Sequence, residues 1–468
     1  MILIKLTQLR SACLLALLSM AISINPVMAQ QPTPAPVTTT STSYSESTKS
    51  GDNNYSKESP KESLESMEEM RAVIKQLTTR VAELEAKLNE SQGAGLAGTK
   101  KLEIPTKQAE QSVNTPEKDT AAAPSFFEKT EISGFVDGYY GYNFNRPQGN
   151  SSILQFDNQL RNFDTKHNQF SLNMIKLALE NKPTVNSRLG FRLDLSFGPA
   201  TEIIHASEPG GSDFVKNIQQ GYLSYLAPVG KGLQIDFGKY STHHGFEVIE
   251  TKDNWNYSRS LLFTLGIPYY HFGVRTTYPV NDKVSVMFGV NNGWNSVVDN
   301  NSRKSYCAQV SLKPTEKLSI VQNYMGGPEQ AGNNKDWRHL FDTVVSYQAT
   351  PTVSLATNYV YGFDRLAGAR VHWQGIVGYA RYQINQRFAL SPRFEYYDDH
   401  DGFTSGLRQT LKSAVITAEH NIREGLSTRL EYRHDSSNEK FFSKPSDRLV
   451  KGQTTLTLGI VYSFNSKK

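Results

Sequence analysis

Residues 188–197 read RLGFRLDLSF. In an extended strand Leu189, Phe191, Leu193, Leu195 and Phe197 share one side, and Arg188, Gly190, Arg192, Asp194 and Ser196 share the other, because successive strand side chains point to opposite faces. One face is therefore apolar and the other charged. A soluble sandwich could use that pattern, with its apolar face turned to a core. Recurrence decides between the two. The same two-faced strand returns along the C-terminal three-quarters of the chain, with no helical segment to cover it. It follows an N-terminal secretory signal and ends in an aromatic strand near the terminus. That combination is the signature of an all-β, transmembrane antiparallel β-barrel with a polar lumen.

The 468 residues are 38% hydrophobic, with a mean hydropathy of −0.48. A transmembrane helix needs roughly 20 consecutive apolar residues, and none follows the N-terminus. A barrel escapes that test because only alternate residues face lipid. The 23 Tyr and 23 Phe against 4 Trp fit aromatic girdles, although soluble all-β proteins are also Tyr-rich. The formal charge of +5 is not gathered into a basic run, so nucleic-acid binding is unsupported.

Residues 1–29 read as a secretory signal. Lys5 and Arg10 form its basic region, Ala12–Ile24 its apolar region, and Val27-Met28-Ala29 its cleavage site. Its removal takes Cys13 away and leaves Cys307 alone, which excludes an intramolecular disulfide and a Cys-based metal site. A closed strand ladder is then the expected source of stability. Residues 30–62 are rich in Ser, Thr and Pro and are expected to be disordered. Residues 63–90 are expected to form a periplasmic helix. Met67, Met70, Ile74, Leu77, Val81, Leu84 and Leu88 alternate spacings of three and four, the seam of a coiled coil. Arg80-Val81-Ala82-Glu83-Leu84-Glu85 resembles the trimerisation pattern of short parallel coiled coils. In that pattern Arg80 packs along the seam and pairs with Glu85 of a neighbouring chain. A single amphipathic helix lying on another surface is the alternative. Residues 91–125 read as a flexible linker, 126–464 as the barrel, and 465–468 as a C-terminal tail.

About sixteen strands can be placed by alternation. They are Ile132–Asn145, Phe170–Asn181, Arg188–Gly198, Ile218–Ala227, Leu233–Tyr240, Phe272–Tyr278, Val284–Trp294, Ser305–Lys313, Leu318–Tyr324, Phe341–Tyr347, Thr352–Tyr361, His372–Ile384, Phe388–Tyr397, Leu411–His420, Ser427–His434 and Thr454–Phe464. Tight joints such as Pro228–Gly232 and Asn385–Arg387 alternate with long ones such as Arg146–Lys166 and Gly245–Ile267. An even count returns both ends to the periplasm. In the last strand Thr457, Gly459, Tyr462 and Phe464 resemble the signal read by barrel-assembly machinery, although Asn465–Lys468 follow it.

The barrel opens with Ser133–Pro147, SGFVDGYYGYNFNRP. Later come NIQQGYLSYLAP (Asn217–Pro228), GKYSTHHGFEVIE (Gly238–Glu250), NYSRSLLF (Asn256–Phe263), PYYHFGVRTTY (Pro268–Tyr278) and NNGWN (Asn291–Asn295). Together these phrases, over about 130–464, resemble the putative β-barrel porin-2 family of outer-membrane proteins. The resemblance implies an outer-membrane barrel of a Gram-negative envelope with a porin-like role and no catalytic residues or cofactor. Its expected partners are outer-membrane lipids, small hydrophilic solutes and, with the coiled coil, two further copies in a homotrimer. Passive diffusion of small hydrophilic solutes is the expected function. An anion- or phosphate-selective pore and a structural tether to the cell wall are the alternatives.

Within that frame, the loop Gly245–Ile267 is the expected constriction, with Glu247, Glu250, Asp253 and Arg259 facing one another across the pore. An external lid with solvated charges is the alternative. The apolar Leu261–Phe263 favours an inward fold. Arg188, Arg192, Asp194, Asp236, Arg275, Arg387, Arg393, Glu395, Arg429, Glu431 and Arg433 are expected to line the pore. Either they favour anions or they form salt-bridge ladders without selectivity. His243 and His244 are read as strand neighbours on opposite faces, which cannot share an ion. Asp398–Asp401 reads as a solvated loop cluster or a cation site between lipopolysaccharide phosphates, and no metal site is assigned.

Overall fold

The computed structural model describes residues 129–148, 157–208, 213–366, 368–446 and 448–467. The secretory signal, the Ser/Thr/Pro-rich segment, the heptad seam and the linker expected over 1–125 lie outside the described residues. From Glu131 the chain alternates direction in strands β1 (Glu131–Asn143), β2 (Gln169–Asn181), β3 (Leu189–Phe197), β4 (Ile218–Ala227), β5 (Leu233–Ser241), β6 (Tyr270–Asn281), β7 (Val284–Asn291) and β8 (Ser305–Thr315). It continues with β9 (Leu318–Pro328), β10 (Trp337–Gln348), β11 (Val353–Leu366), β12 (Ala369–Gln383), β13 (Phe388–Asp399), β14 (Gln409–Arg423) and β15 (Leu426–Ser437). A two-stranded hairpin, β16 (Phe442–Ser443) with β17 (Leu449–Val450), precedes the last strand, β18 (Gly452–Asn465). Strands β1 to β15 and β18 pair antiparallel with their sequence neighbours, and β18 closes the ring on β1. The result is a closed barrel of sixteen strands, which leaves no sheet edge to aggregate or to stay unpaired in lipid.

The register sorts the side chains. Leu177, Leu223, Phe237, Phe288, Ile376, Phe394, Ile416, Leu458 and Ile460 all point outward and are exposed, the band a lipid bilayer would cover. The opposite positions carry Asp137, Lys176, Asp194, Asp236, Asp342, Arg393, Glu431 and Arg433, all buried inside. Charges on the outer face at mid-depth would cost about 2–4 kcal/mol each, so the two sets cannot exchange faces. The β1–β18 pairing brings both ends of the barrel to one rim, where Asn465 Nδ2 donates to Glu131 Oε1 at 2.7 Å.

On that rim the joints are tight turns, such as 228–232, 282–283, 316–317 and 424–425. The opposite rim carries longer loops. The second of these holds helices α1 (Pro199–Ile204) and α2 (Asp213–Asn217). One loop departs from the short–long alternation: β11 and β12 are joined by residues 367–368 alone. The alternation places the end of β11 at Tyr361, five residues short of its end at Leu366. In the barrel Asp364 is an inward strand residue bound by Arg338, and pairing runs on to Leu366↔Ala369.

Candidate functional site

The barrel interior is organised around residues 242–269, the loop between β5 and β6. Gly245 lets the chain turn inward: its φ of +89° is a conformation that side chains resist, and a Cβ there would meet Ile267 at 2.6 Å. Its N–H is received by Asp342 of β10 at 2.7 Å, and that of Phe246 by Asn358 of β11 at 3.1 Å. The chain then crosses the lumen to the wall of β12–β15, β18, β1 and β2. A 3-10 turn (Thr251–Asp253) and a π-helical turn (Leu262–Gly266) lie along the way. Leu261, Leu262, Phe263 and Ile267 are buried with Phe163, Trp373 and Tyr397.

A loop inside a barrel must find partners for its backbone away from bulk water. The wall supplies them in two kinds. Its arginines donate to loop carbonyls: Arg393 to Ser258 O at 2.6 Å, Arg433 to Arg259 O at 2.6 Å, Arg429 to Thr251 O at 2.5 Å. Its carboxylates accept loop N–H groups: Glu431 from Tyr257 at 2.7 Å and from Ser258, Glu395 from Leu261 at 2.8 Å. Trp373 Nε1 reaches Gly266 O at 3.1 Å, and Asn256 bridges to Ser391 O and Thr417 at 2.8 Å.

The loop's own charges are used in the same way. Glu247 is paired with Arg393 at 2.8 Å, both almost wholly enclosed, and also accepts from Ser260. Arg259 donates to backbone carbonyls of its own loop and lies 4.3 Å over the Phe163 ring. Glu250 is paired with Lys176 of β2 and receives Gln219 at 2.8 Å. Burial works against its charge, yet the Lys176 ammonium holds its carboxyl down at about 2. Only Lys252 and Asp253 at the tip are well exposed, near Glu131, Glu180 and Glu424 at the rim of tight turns.

The residues proposed from sequence as a facing set therefore divide. Glu247, Glu250 and Arg259 are loop anchors, Asp253 alone being solvated. Arg393, Glu395, Arg429, Glu431 and Arg433 point inward but are covered by the loop. Arg192, Asp194, Asp236 and Arg275 lie on β3, β5 and β6, and Asp194 shares with Glu250 of the loop the ammonium of Lys176. Arg192 bonds Asp194 at 2.9 Å and Glu180 at 3.2 Å, while Arg275 bonds Asp236 at 2.9 Å and lies 4.4 Å from the Tyr240 ring. Arg387 is in the β12–β13 turn, around one cavity with Lys252, Glu419 and Arg429, and Arg188 precedes β3, donating to Leu226 O at 3.0 Å. One expectation needs correction. Strand β5 ends at Ser241, so His243 and His244 are loop residues with rings 4.2 Å apart, not strand neighbours on opposite faces.

Asp398–Asp401 is not one cluster either. Asp399 accepts backbone N–H groups of Phe403, Thr404 and Ser405, and Asp401 pairs with His372 at 3.0 Å. No group of His, Cys, Asp and Glu suited to a metal ion occurs among the described residues. Sequence reasoning missed Asp137 and Lys176. Asp137, fully buried, accepts Tyr257 Oη at 2.9 Å and Thr251 Oγ1 at 2.5 Å. The available signal was a lone Lys in the apolar MIKLAL of β2 and a lone Asp in the aromatic start of β1.

Among solved structures, the chain is similar to the outer membrane channel DcaP of Acinetobacter baumannii, at 14% identity and a TM-score of 0.49, over 72% of this chain and 97% of that one. It is also similar to OmpT, an outer membrane protein of Vibrio cholerae (12%, 0.47, 72% and 97%). A third is an anion-selective porin from Comamonas acidovorans (11%, 0.48, 72% and 99%). Likenesses this distant carry no argument about function. No curated protein matches the chain. What assigns it is the match of residues 129–464 to the family described as putative beta-barrel porin-2, OmpL-like. An inward loop inside a closed sixteen-stranded barrel and a family match over most of the chain lead to one conclusion: this protein belongs to the beta-barrel porin-2 family and is an outer-membrane porin.

Proposed function

We propose that solutes pass along the β2–β6 side of the lumen, and that the seated loop makes the pore narrow and weakly selective. The observation that carries this reading is a contrast in exposure. The side chains of Arg192 and Arg275 are 27% and 23% exposed, against 0% for Arg393 and 1% for Arg433. Polar groups that reach water line the route, and those beneath the loop do not.

Weak selectivity follows from the charge count. Lys182, Glu180, Arg192, Asp194, Lys176 and Glu250 form one connected network of three cations and three carboxylates, with no formal net charge. Arg275 and Asp236 cancel. A pore whose arginines are each balanced by a carboxylate within contact distance has little net field to sort ions. That favours general diffusion of small hydrophilic solutes over anion or phosphate selection. The heptad seam from Met67 to Leu88, with Arg80 and Glu85, supports a homotrimer with its helices in the periplasm. A reversal potential near zero across a salt gradient, at low single-channel conductance in planar bilayers, tests the reading. Strong anion preference would replace it by the selective alternative.

A further inference from the structure

We propose that the outward face at the top of the β11–β12 hairpin binds a phosphorylated glycolipid of the outer membrane's outer leaflet. Arg365 and Arg370 are directly opposite each other across this hairpin, and both point outward and are exposed. Like charges placed so are destabilising unless an anion joins them. Neither has a carboxylate partner among the described residues. The nearby acids are engaged elsewhere: Asp364 faces inward to Arg338 at 2.9 Å, and Asp401 pairs with His372. Asp398, outward on β13, receives Thr410 Oγ1 at 3.3 Å.

The position suits a headgroup. Tyr382, on the opposite rim, pairs with Val353, and Arg365 stands about twelve residues further along β11. At about 3.3 Å per residue and a tilt of about 40°, that is roughly 30 Å of height, the thickness of a bilayer's hydrocarbon core. The guanidinium of Arg370 is preset, 4.1 Å over the Phe363 ring and bonded to Tyr361 Oη at 2.9 Å. Beneath it Tyr359 and Ile376 are exposed on the outer wall, a surface for acyl chains. Since residues 367–368 are the whole connection, no long loop of this hairpin overhangs the pair. The corresponding outward positions of β2, β3 and β6 carry Phe170, Phe197 and Phe272, with no cation. Two forked donors above an apolar wall match a lipid with more than one phosphate and several chains.

This inference rests on the outer-membrane assignment. The test is native mass spectrometry of the full chain in detergent, titrated with bisphosphorylated lipid A, with dephosphorylated lipid A, and with inorganic phosphate as competitor. Heat-modified gel mobility reports the folded barrel independently, so failure of the assignment is seen as a parent protein that does not form one. The expected result is preferential binding of the bisphosphorylated lipid, weakened about tenfold or more by Arg365→Gln with Arg370→Gln. The double Lys variant should retain most of the binding, as it keeps the charge. Unchanged binding by the folded double Gln variant would overturn the proposal. So would equal binding of the dephosphorylated lipid, which would mean an apolar wall only. Displacement by millimolar phosphate would also overturn it, since that would mean a free-anion site.

Discussion

Arg393 and Arg192 both point into the barrel from inward strand positions, and both sit beside a carboxylate. Arg393 is enclosed, with Glu247 and the carbonyls of Ser258 and Arg259 around it. Arg192 keeps part of its guanidinium in water while bonding Asp194 and Glu180. On the β12–β15 wall, charge is the adhesive for a loop. On the β3–β6 wall, Arg192 and Arg275 stay partly in water over buried carboxylates. The difference teaches that an inward charge has a role only relative to what covers it.

The sharpest way to break that distinction is to remove an adhesive group. Glu247→Gln removes the carboxylate paired with the buried Arg393, and breaking a buried pair is typically worth about 3–5 kcal/mol. The barrel should remain closed while the loop unseats. Single-channel conductance should rise with added noise, and protease should cut within 246–260. A variant with parental conductance would show that the loop is held by its apolar residues alone.

A smaller effect is expected at the bend. Gly245→Ala places a Cβ at 2.6 Å from Ile267 in a left-handed conformation, a cost of about 1–2 kcal/mol. The expectation is more frequent opening events at elevated temperature, with a folded barrel on gels. Identical open-state occupancy to the parent would remove strain at Gly245 from the account.

On the solvated wall the readout should change in kind. Arg192→Gln with Arg275→Gln should shift the reversal potential toward cations by about fivefold in permeability ratio, equivalent to about 1 kcal/mol, with conductance nearly unchanged. A conductance jump without a selectivity change would mean these arginines are anchors too. The smallest effect belongs to Lys252→Gln at the exposed tip, expected within about 0.5 kcal/mol of parental stability and visible at most as a slight change in current rectification.

Most of the barrel was readable in the chain because lipid on one side and polar interior on the other impose period-two alternation everywhere. Each of the sixteen expected strands has its counterpart. The errors fall at ends. Trp294 reads as strand, but β7 stops at Asn291. Asp364 and Arg365 lie beyond the expected end at Tyr361, but cross-strand pairing carries β11 past them. The apolar Leu261–Phe263 announced its own burial. What the chain did not disclose was coverage. Nothing local to Arg393 or Arg192 says which one a segment remote in sequence will enclose. The same gap hid Lys176, whose partner Glu250 is 74 positions away.

The loop's bonds also order events in time. Its partners on β13, β14 and β15 lie 133 to 178 residues further along the chain. Contacts so remote in sequence form late. Residues 242–269 can therefore settle only after the last third of the strands exists. Until then the growing sheet must accommodate an unattached segment whose polar backbone still needs water. Closure of β18 on β1 and seating of the loop share partners at both seams: Tyr257 reaches Asp137 of β1, and its ring covers Gly459 of β18. The plug is thereby also a latch, set across the seam where the first strand meets the last.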